Sequence, residues 1–377
     1  MKLQNVESQN FVPWRTMGKK IIYFSLCTWS ALGGLGTPLF AQDIHFSQYA
    51  YSPLTLNPAL TAAYKEMQGT LNYKQQWRSV KAYRTEEATF EMKLNQRTWK
   101  KLDKYTDTFK KKLIKGLAFG LNFFTDKAGD GSMRILQGNF AVCYHTALSE
   151  QNTLSMGLMG GMVQRSMSPG SLRWNSQYAT GVYDPSVNPG ESFGNLAYIY
   201  GDYSAGILFS HGTESSYMTA NDQKFFNLGA SVSHLTQPNQ SYMGGGDRLY
   251  MKYTAHTNVL IGIKNSLFSL APSALYMLQG PTQEITFGMM VKYKLKEESK
   301  YTGIIKNSVF SAGCFYRNKD AIIPYVLLEM DKYTLGISYD TNISGLTAAT
   351  TGRGGIEICL RIGNSNPFLY QNSKSRM

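Results

Sequence analysis

Apolar and polar residues alternate along most of the chain after residue 64. In residues 283–295, apolar or aromatic side chains occupy every second position: Ile285, Phe287, Met289, Val291, Tyr293 and Leu295. Residues 116–123 and 355–362 repeat this pattern. A period of two is that of a β-strand, whose successive side chains point to opposite faces of the sheet. The chain is therefore predicted to be all-β.

The alternation predicts fourteen strands. They lie near residues 66–77, 84–94, 115–125, 134–145, 153–164, 199–210, 225–235, 249–262, 266–278, 283–295, 306–317, 321–331, 332–341 and 353–362. A tilted strand of about 9–11 residues crosses a bilayer, and an even number returns both ends of the sheet to one side. We therefore predict a transmembrane outer-membrane β-barrel of antiparallel strands over residues 65–362, followed by a polar C-terminal tail, 363–377.

The composition agrees with a barrel but leaves an alternative open. The chain has 25 Tyr, 19 Phe and 35 Gly, whereas only 17% of its residues are charged. Such proportions are typical of outer-membrane barrels, which carry an apolar outer band with aromatic girdles. A soluble secreted adhesin built as a β-sandwich has a similar composition.

Residues 1–41 are predicted to be a signal peptide. Lys19 and Lys20 precede an apolar stretch over residues 21–35, and the small residue Ala41 marks the cleavage point. Met17 is an alternative start that gives a signal of ordinary length. An export signal followed by barrel strands predicts a location in the outer membrane.

The charge and the reactive residues indicate binding rather than catalysis. The net charge of +13 is compatible with binding to nucleic acid. In an exported chain, however, this positive charge is more readily explained by contact with outer-membrane lipid and lipopolysaccharide. The five histidines are scattered, and no nucleophile elbow, HExxH motif or P-loop is present. We therefore expect no enzyme activity, cofactor or metal. Three cysteines in separate strands, Cys143, Cys314 and Cys359, predict no disulfide framework.

Two connections stand apart from the strand pattern. Residues 97–115 carry apolar side chains at steps of three and four with lysines between them, which predicts a basic amphipathic helix. Residues 165–196 form the longest connection and are rich in aromatic residues and proline. A loop of this length is expected to be a lumen plug, a partner surface or a plain solvated loop.

Residues 42–64 form a non-periodic segment that carries an ordered series of short motifs. Phe46-Ser47-Gln48-Tyr49 is followed by Ser52-Pro53-Leu54 and then by Asn57-Pro58-Ala59. The series resembles the opening signature of the PorP/SprF family. The chain departs from the family pattern at Ser52, where Asn is usual, and over residues 60–63, where an aromatic residue and a glycine are usual.

The resemblance implies an outer-membrane protein linked to type IX secretion and gliding in Bacteroidetes. Such a protein would bind and anchor exported surface proteins, or link the outer membrane to periplasmic components of the machine. The expected partner-binding residues lie in a periplasmic segment in or under the barrel mouth: Phe46, Ser47, Gln48, Tyr49, Asn57, Pro58 and Ala59. A plug that only closes the barrel is the structural alternative for the same residues. A passive transporter for small or hydrophobic solutes is the alternative function.

Overall fold

A computed structural model describes most of the chain after residue 42. The described residues are 43–77, 83–94, 116–129, 131–149, 151–168, 172–178, 181–190, 196–213, 221–242, 246, 248–296, 308–330, 332–345, 347 and 352–364. The expected signal peptide, the whole of the amphipathic helix expected at 97–115 and most of the C-terminal tail lie outside these residues.

Fourteen β-strands make up nearly all of the regular structure of the described residues. They are β1 Met67–Gln76, β2 Tyr83–Leu94, β3 Gly116–Ala128, β4 Met133–Ala147, β5 Asn152–Ser166, β6 Ala197–Thr213, β7 Lys224–Ser233, β8 Lys252–Gly262, β9 Phe268–Gln279, β10 Thr282–Lys296, β11 Ser308–Arg317, β12 Ala321–Met330, β13 Tyr333–Asn342 and β14 Arg353–Asn364. Each predicted strand corresponds to one observed strand. The boundaries differ by three residues or fewer, and β14 runs two residues past its predicted end at Ile362.

The strands form one closed antiparallel barrel. Each strand pairs with its neighbours in the chain, and β1 pairs with β14 to close the sheet, with Met67 opposite Asn364. The predicted barrel is confirmed, and the alternative of a two-sheet sandwich is wrong, because a single sheet closes on itself. Closure leaves the sheet without a free edge, which is what a lipid environment requires of a β-structure.

The alternation in the sequence separates the two faces of the wall. On β3, Phe123 is 55% exposed on the outside, whereas its neighbour Asn122 is 1% exposed in the lumen. On β10, Phe287 and Met289 likewise lie on the outer surface while Thr286 is buried. The outer face is therefore apolar and aromatic, and the inner face is largely polar. Among the described residues, no helix has the length and apolar character needed to cross a membrane.

Residues 43–66, named the plug here, run through the lumen. We call the end at which β1 begins and β14 ends the terminal end, and the opposite one the distal end. Asp43 donates its backbone N–H to Gln279, the last residue of β9 at the distal end, over 2.9 Å. Glu66 accepts the backbone N–H of Lys93 at the terminal end over 2.7 Å. The plug therefore extends along the barrel instead of remaining under one mouth.

The plug is folded into three single turns. A 3₁₀ turn at Tyr49–Tyr51 is followed by the short helix α1, Pro53–Leu56, and by a second 3₁₀ turn at Pro58–Leu60. The sequence pattern predicted neither helix nor strand here, and these turns are too short to produce a periodic signal. The apolar core of the molecule lies between the plug and the wall, and includes Tyr49, Leu60 and Leu327.

Candidate functional site

The structure brings all seven predicted site residues together inside the lumen. Each of them is buried: Phe46, Ser47, Gln48, Tyr49, Asn57, Pro58 and Ala59. These residues contact the barrel wall. The geometry of the site therefore describes how the wall holds the plug.

The first part of the plug is held by Glu357 of β14. Its carboxylate oxygens accept the backbone N–H groups of Ser47 and Gln48 over 2.8 and 2.7 Å. Lys74 of β1 lies 3.8 Å from the same carboxylate and neutralises it. Two N–H donors that would otherwise be buried without partners are thereby satisfied by one carboxylate.

The Ser47 side chain joins a second charged group. Its hydroxyl donates to Asp340 over 2.8 Å and accepts from Arg317 over 2.6 Å. Arg317 also pairs directly with Asp340 at 3.2 Å. The serine therefore bridges an ion pair that the wall supplies, which fixes its position along the barrel.

Two glutamates of β2 hold the middle and the end of the plug. Glu87 accepts from the hydroxyls of Ser52, at 2.6 Å, and Thr55. Glu91 accepts the backbone N–H of Ala62 over 2.7 Å. Ala62 has φ 51, a left-handed conformation that costs a non-glycine residue about 1 kcal/mol or more. The bond to Glu91 helps to hold it there.

Asn57, Pro58 and Ala59 rest on glycines of the wall. A Cβ on Gly157 of β5 would lie 2.4 Å from the carbonyl of Pro58, and one on Gly206 of β6 would lie 2.0 Å from the Asn57 side-chain oxygen. Only a residue without a side chain fits at either position. The close approach of plug and wall thus depends on glycine in both strands.

The Asn-Pro pair sets the local shape of this contact. Asn57 is extended, with φ −160 and ψ 121, as expected for a residue before proline. Its side-chain oxygen accepts the N–H of Ala59 over 2.9 Å, and its amide nitrogen donates to the carbonyl of Ile207 over 3.0 Å. One side chain therefore both shapes the turn and binds it to β6.

A cluster of charges holds the plug at the distal end. The Asp43 carboxylate lies 2.6 Å from the Lys252 ammonium and 3.2 Å from His234 Nε2, while His234 Nδ1 lies 3.0 Å from Asp202. Burial alone raises the pKa of the Asp43 carboxyl, but Lys252 and His234 hold it well below its usual value. Burial alone lowers the pKa of His234, but the two carboxylates raise it to about 9. At neutral pH Asp43 is therefore ionised and His234 is protonated.

The sequence comparison identifies the family. The model of the type IX secretion system membrane protein PorP/SprF matches residues 39–362, which include the plug and nearly the whole barrel. The chain belongs to the PorP/SprF family. Family and fold together place this PorP/SprF protein in the outer membrane. A search of curated protein sequences finds no match.

Solved structures similar to this PorP/SprF barrel are other barrels. The toluene transporter TbuX of Ralstonia pickettii is 12% identical, covers 88% of this chain and 96% of its own, and has a TM-score of 0.40. BamA of Haemophilus ducreyi, in a form that lacks POTRA domains 1–3, is 9% identical, covers 78% and 69%, and has a TM-score of 0.38. Similarity at this level does not extend to activity.

Sequence reasoning found the plug motifs of this PorP/SprF protein but not the wall residues that hold them. Glu87, Glu91 and Glu357 were not predicted as part of the site. An acidic residue at a lumen-facing position of a strand is a signal that could have found them, because a buried carboxylate requires donors. The glycine positions carry no such signal, since glycines are frequent throughout this chain.

The reactive side chains of the described residues show no assembled centre. No group of three or more His, Cys, Asp and Glu side chains there could hold a metal ion. All three described cysteines are free: Cys143 and Cys359 are buried, and Cys314 is exposed. Cys143 donates its thiol to the carbonyl of Ala59 over 3.4 Å, so this cysteine is covered by the plug.

The long connection between β5 and β6 lies at the distal end. Among its described residues, Gln177 is buried and donates to the carbonyl of Val187 over 3.1 Å, and Arg173 lies 4.8 Å from the ring centre of Tyr183. These contacts fold the loop on itself. Its predicted roles as a plug and as a partner surface remain predictions.

Proposed function

We propose that this protein is a plugged outer-membrane anchor of type IX secretion. It binds an exported surface protein, or a periplasmic component of the secretion machine, at one of its two ends. The observation that supports this proposal most directly is that residues 43–66 pass through the lumen and are bonded to the wall along their length. A barrel filled in this way offers its ends and loops to other proteins. The passive transporter is not favoured, because the same segment occupies the space that a solute would need.

The orientation follows from the usual rule for bacterial barrels. Short turns and both chain ends face the periplasm, and longer loops face outward. The terminal end would then face the periplasm, and the long connection between β5 and β6 would face the cell exterior. The basic surface of the chain would lie near outer-membrane lipid and lipopolysaccharide.

The seven signature residues act in this proposal by positioning the plug. Ser47 and Gln48 are held by Glu357, and Asn57 binds Ile207, so these residues decide where the ends of the segment emerge. A partner that contacts either mouth would then depend on them without touching them. Direct contact with a partner would require the plug to leave the lumen.

The test is a double substitution in the plug with a matched control. Asn57→Ala with Pro58→Ala is expected to leave the barrel inserted but to reduce the partner recovered from the envelope by about tenfold. The control, Asn188→Ala with Pro189→Ala, changes the same dipeptide in the exposed loop between β5 and β6. Partners are measured by affinity purification from solubilised envelope and mass spectrometry.

Labelling of the buried thiols shows whether the plug has moved. In a Cys314→Ser background, a hydrophilic maleimide should label Cys143 and Cys359 only when the plug is displaced. Loss of the partner without labelling would point to a local effect on docking. If only the control variant loses the partner, the docking surface lies on the loop between β5 and β6. Full recovery of the partner despite labelling would contradict the proposed role of the plug.

A further inference from the structure

A cavity of about 290 Å³ lies beside the plug and opens toward the terminal end. The plug forms one side of it through residues 47–51, Tyr64 and Lys65, and β7 to β14 form the other. Its volume is near the lower end of the roughly 300–1,000 Å³ that small-molecule sites occupy. The cavity is therefore large enough for one ring or one short apolar chain.

Aromatic rings form the inner part of this cavity. The ring of Phe315 lies 6.3 Å from that of Tyr49 and 6.2 Å from that of Tyr325, both measured between centroids. Edge-to-face and tilted rings at these distances present flat apolar surfaces at an angle to each other. Met290 and Ala271 line the same space. An apolar body inserted here would be enclosed on several sides.

A guanidinium without a carboxylate at ion-pair distance lies in the wall of the cavity. Arg361 of β14 stands 4.4 Å from the ring centre of Tyr51, and its Nη2 donates to the carbonyl of Ala50 over 3.2 Å. Its Nε is buried without a hydrogen-bond partner, and Arg361 forms no ion pair with any residue that the structure describes. A partly buried cation in this situation favours an anion beside it.

The other charged side chains that line the cavity do not supply that anion. Glu329 is paired with Lys292 at 3.3 Å, and Lys65 is exposed at the opening. The lining therefore carries an excess of positive charge. Buried polar atoms on other lining residues, among them Gln48 Oε1 and Tyr325 OH, also have no partner within the described part of the chain.

We propose that this cavity binds a small amphipathic carboxylate. Its apolar or aromatic body lies among Tyr49, Phe315 and Tyr325, and its carboxylate lies at Arg361. The same chemistry is offered by a free aromatic or short-chain acid and by the last residue of a polypeptide that enters from the terminal end. Binding of either does not depend on the anchoring role proposed above.

The experiment measures binding to the full mature chain in nanodiscs of neutral phosphatidylcholine. Four probes are compared by isothermal titration: 3-phenylpropionate, its uncharged amide, a pentapeptide that ends in phenylalanine, and the same peptide with an amidated end. The carboxylate forms are expected to bind at least tenfold more tightly than the amides, because only they give Arg361 a charged partner.

Three variants locate the site. Arg361→Gln removes the cation and should weaken binding of the carboxylate probes at least tenfold while leaving the amides unchanged. Ala271→Phe keeps Arg361 but fills the cavity, and should weaken binding of all probes. Arg353→Gln makes the same change as the first variant at an exposed position of the same strand, and should change nothing. Circular dichroism and thermal unfolding establish that each variant is folded.

The two sources of the carboxylate give different outcomes. Binding of 3-phenylpropionate alone supports a free acid, and tighter binding of the free-ended peptide supports a polypeptide terminus. The proposal is overturned if acids and amides bind equally, if no probe binds, or if binding survives both Arg361→Gln and Ala271→Phe.

Discussion

Single residues hold the plug through carboxylates that face the lumen. Glu357 and Glu91 accept backbone N–H groups of the plug, and Glu87 accepts its hydroxyls. The dependence is mutual, because a buried carboxylate without donors and a buried N–H without an acceptor are both costly. The wall and the plug are therefore each incomplete without the other.

Gly157 gives the sharpest prediction at this scale. Gly157→Ala would place a Cβ 2.4 Å from the Pro58 carbonyl, so the plug must shift, at a cost of about 1–3 kcal/mol. The matched control is Gly69→Ala, whose Cβ would lie 3.7 Å from the backbone oxygen of Thr89, an ordinary contact. Denaturant unfolding and maleimide labelling of Cys143 are the measurements. Equal stability and equal labelling in the two variants would show that the wall at Gly157 tolerates a side chain beneath the plug.

The cluster around Asp43 predicts a pH dependence at the distal end. The pKa of His234 is raised from 6.5 to about 9, so its contribution to stability is complete below pH 6.5 and is lost as the pH rises through about 9. The pKa of Asp43 is lowered, so its contribution is complete above about pH 3.8 and is lost on acidification. The attachment of the plug at the distal end is therefore strongest between about pH 3.8 and pH 6.5.

His234→Gln tests this dependence because it removes the titrating group. At pH 6 the variant should unfold at a lower temperature than the natural chain. This difference in unfolding temperature should shrink as the pH passes 9. The comparison of both proteins from pH 6 to pH 10 is the measurement. A constant difference across that range would exclude His234 as the source.

Elements of this molecule have separate roles, since the strands close the barrel and the plug fills it. Closure rests on the backbone ladder between neighbouring strands, including the pairing of β1 with β14. The apolar core, in contrast, includes Tyr51 and Leu56 of the plug and Ile323 of β12. The sheet therefore has the bonds to form without the plug, but it loses much of its internal packing.

Deletion of residues 43–63 is expected to separate these roles. The shortened chain should still migrate as a folded barrel in an unheated gel, but it should unfold at a lower temperature and let small solutes pass. Liposome swelling measures the passage, with the full mature chain as the control. A chain that no longer folds would show that the plug is needed to form the barrel.

The whole molecule is adapted to lipid through its outer surface. Leu158 is 67% exposed near the middle of β5, and Leu148 is 61% exposed just beyond β4. The two exposures are alike, so only depth in the membrane distinguishes the positions. A charge at the midplane costs about 2–4 kcal/mol, and one near the interface costs about 0–1 kcal/mol.

This difference predicts the outcome of a matched pair of substitutions. Leu158→Arg should lower the free energy of unfolding in lipid vesicles by about 2–4 kcal/mol, whereas Leu148→Arg should lower it by less than about 1 kcal/mol. Guanidinium titrations followed by tryptophan fluorescence measure both. Equal losses would mean that Leu158 does not lie in the hydrocarbon layer.

The sequence by itself determined the strands, their number and the two faces of the wall. A strand places every second residue on the same side, so β10 could be read from Phe287 and Met289 without any knowledge of its neighbours. The plug motifs could be recognised for a different reason, because Asn57-Pro58 is a motif of two adjacent residues. The outer-membrane location and the family follow from the same local features.

Only the tertiary structure decided where the plug lies and what holds it. Ser47 meets Glu357, and Asn57 meets Gly206, through contacts between residues far apart in the chain. No local pattern encodes such a meeting, since it depends on the closure of the sheet and on which inward-facing residues share a level of the lumen. The cavity beside Arg361 has the same origin, because it is the space that the plug and the closed wall leave between them.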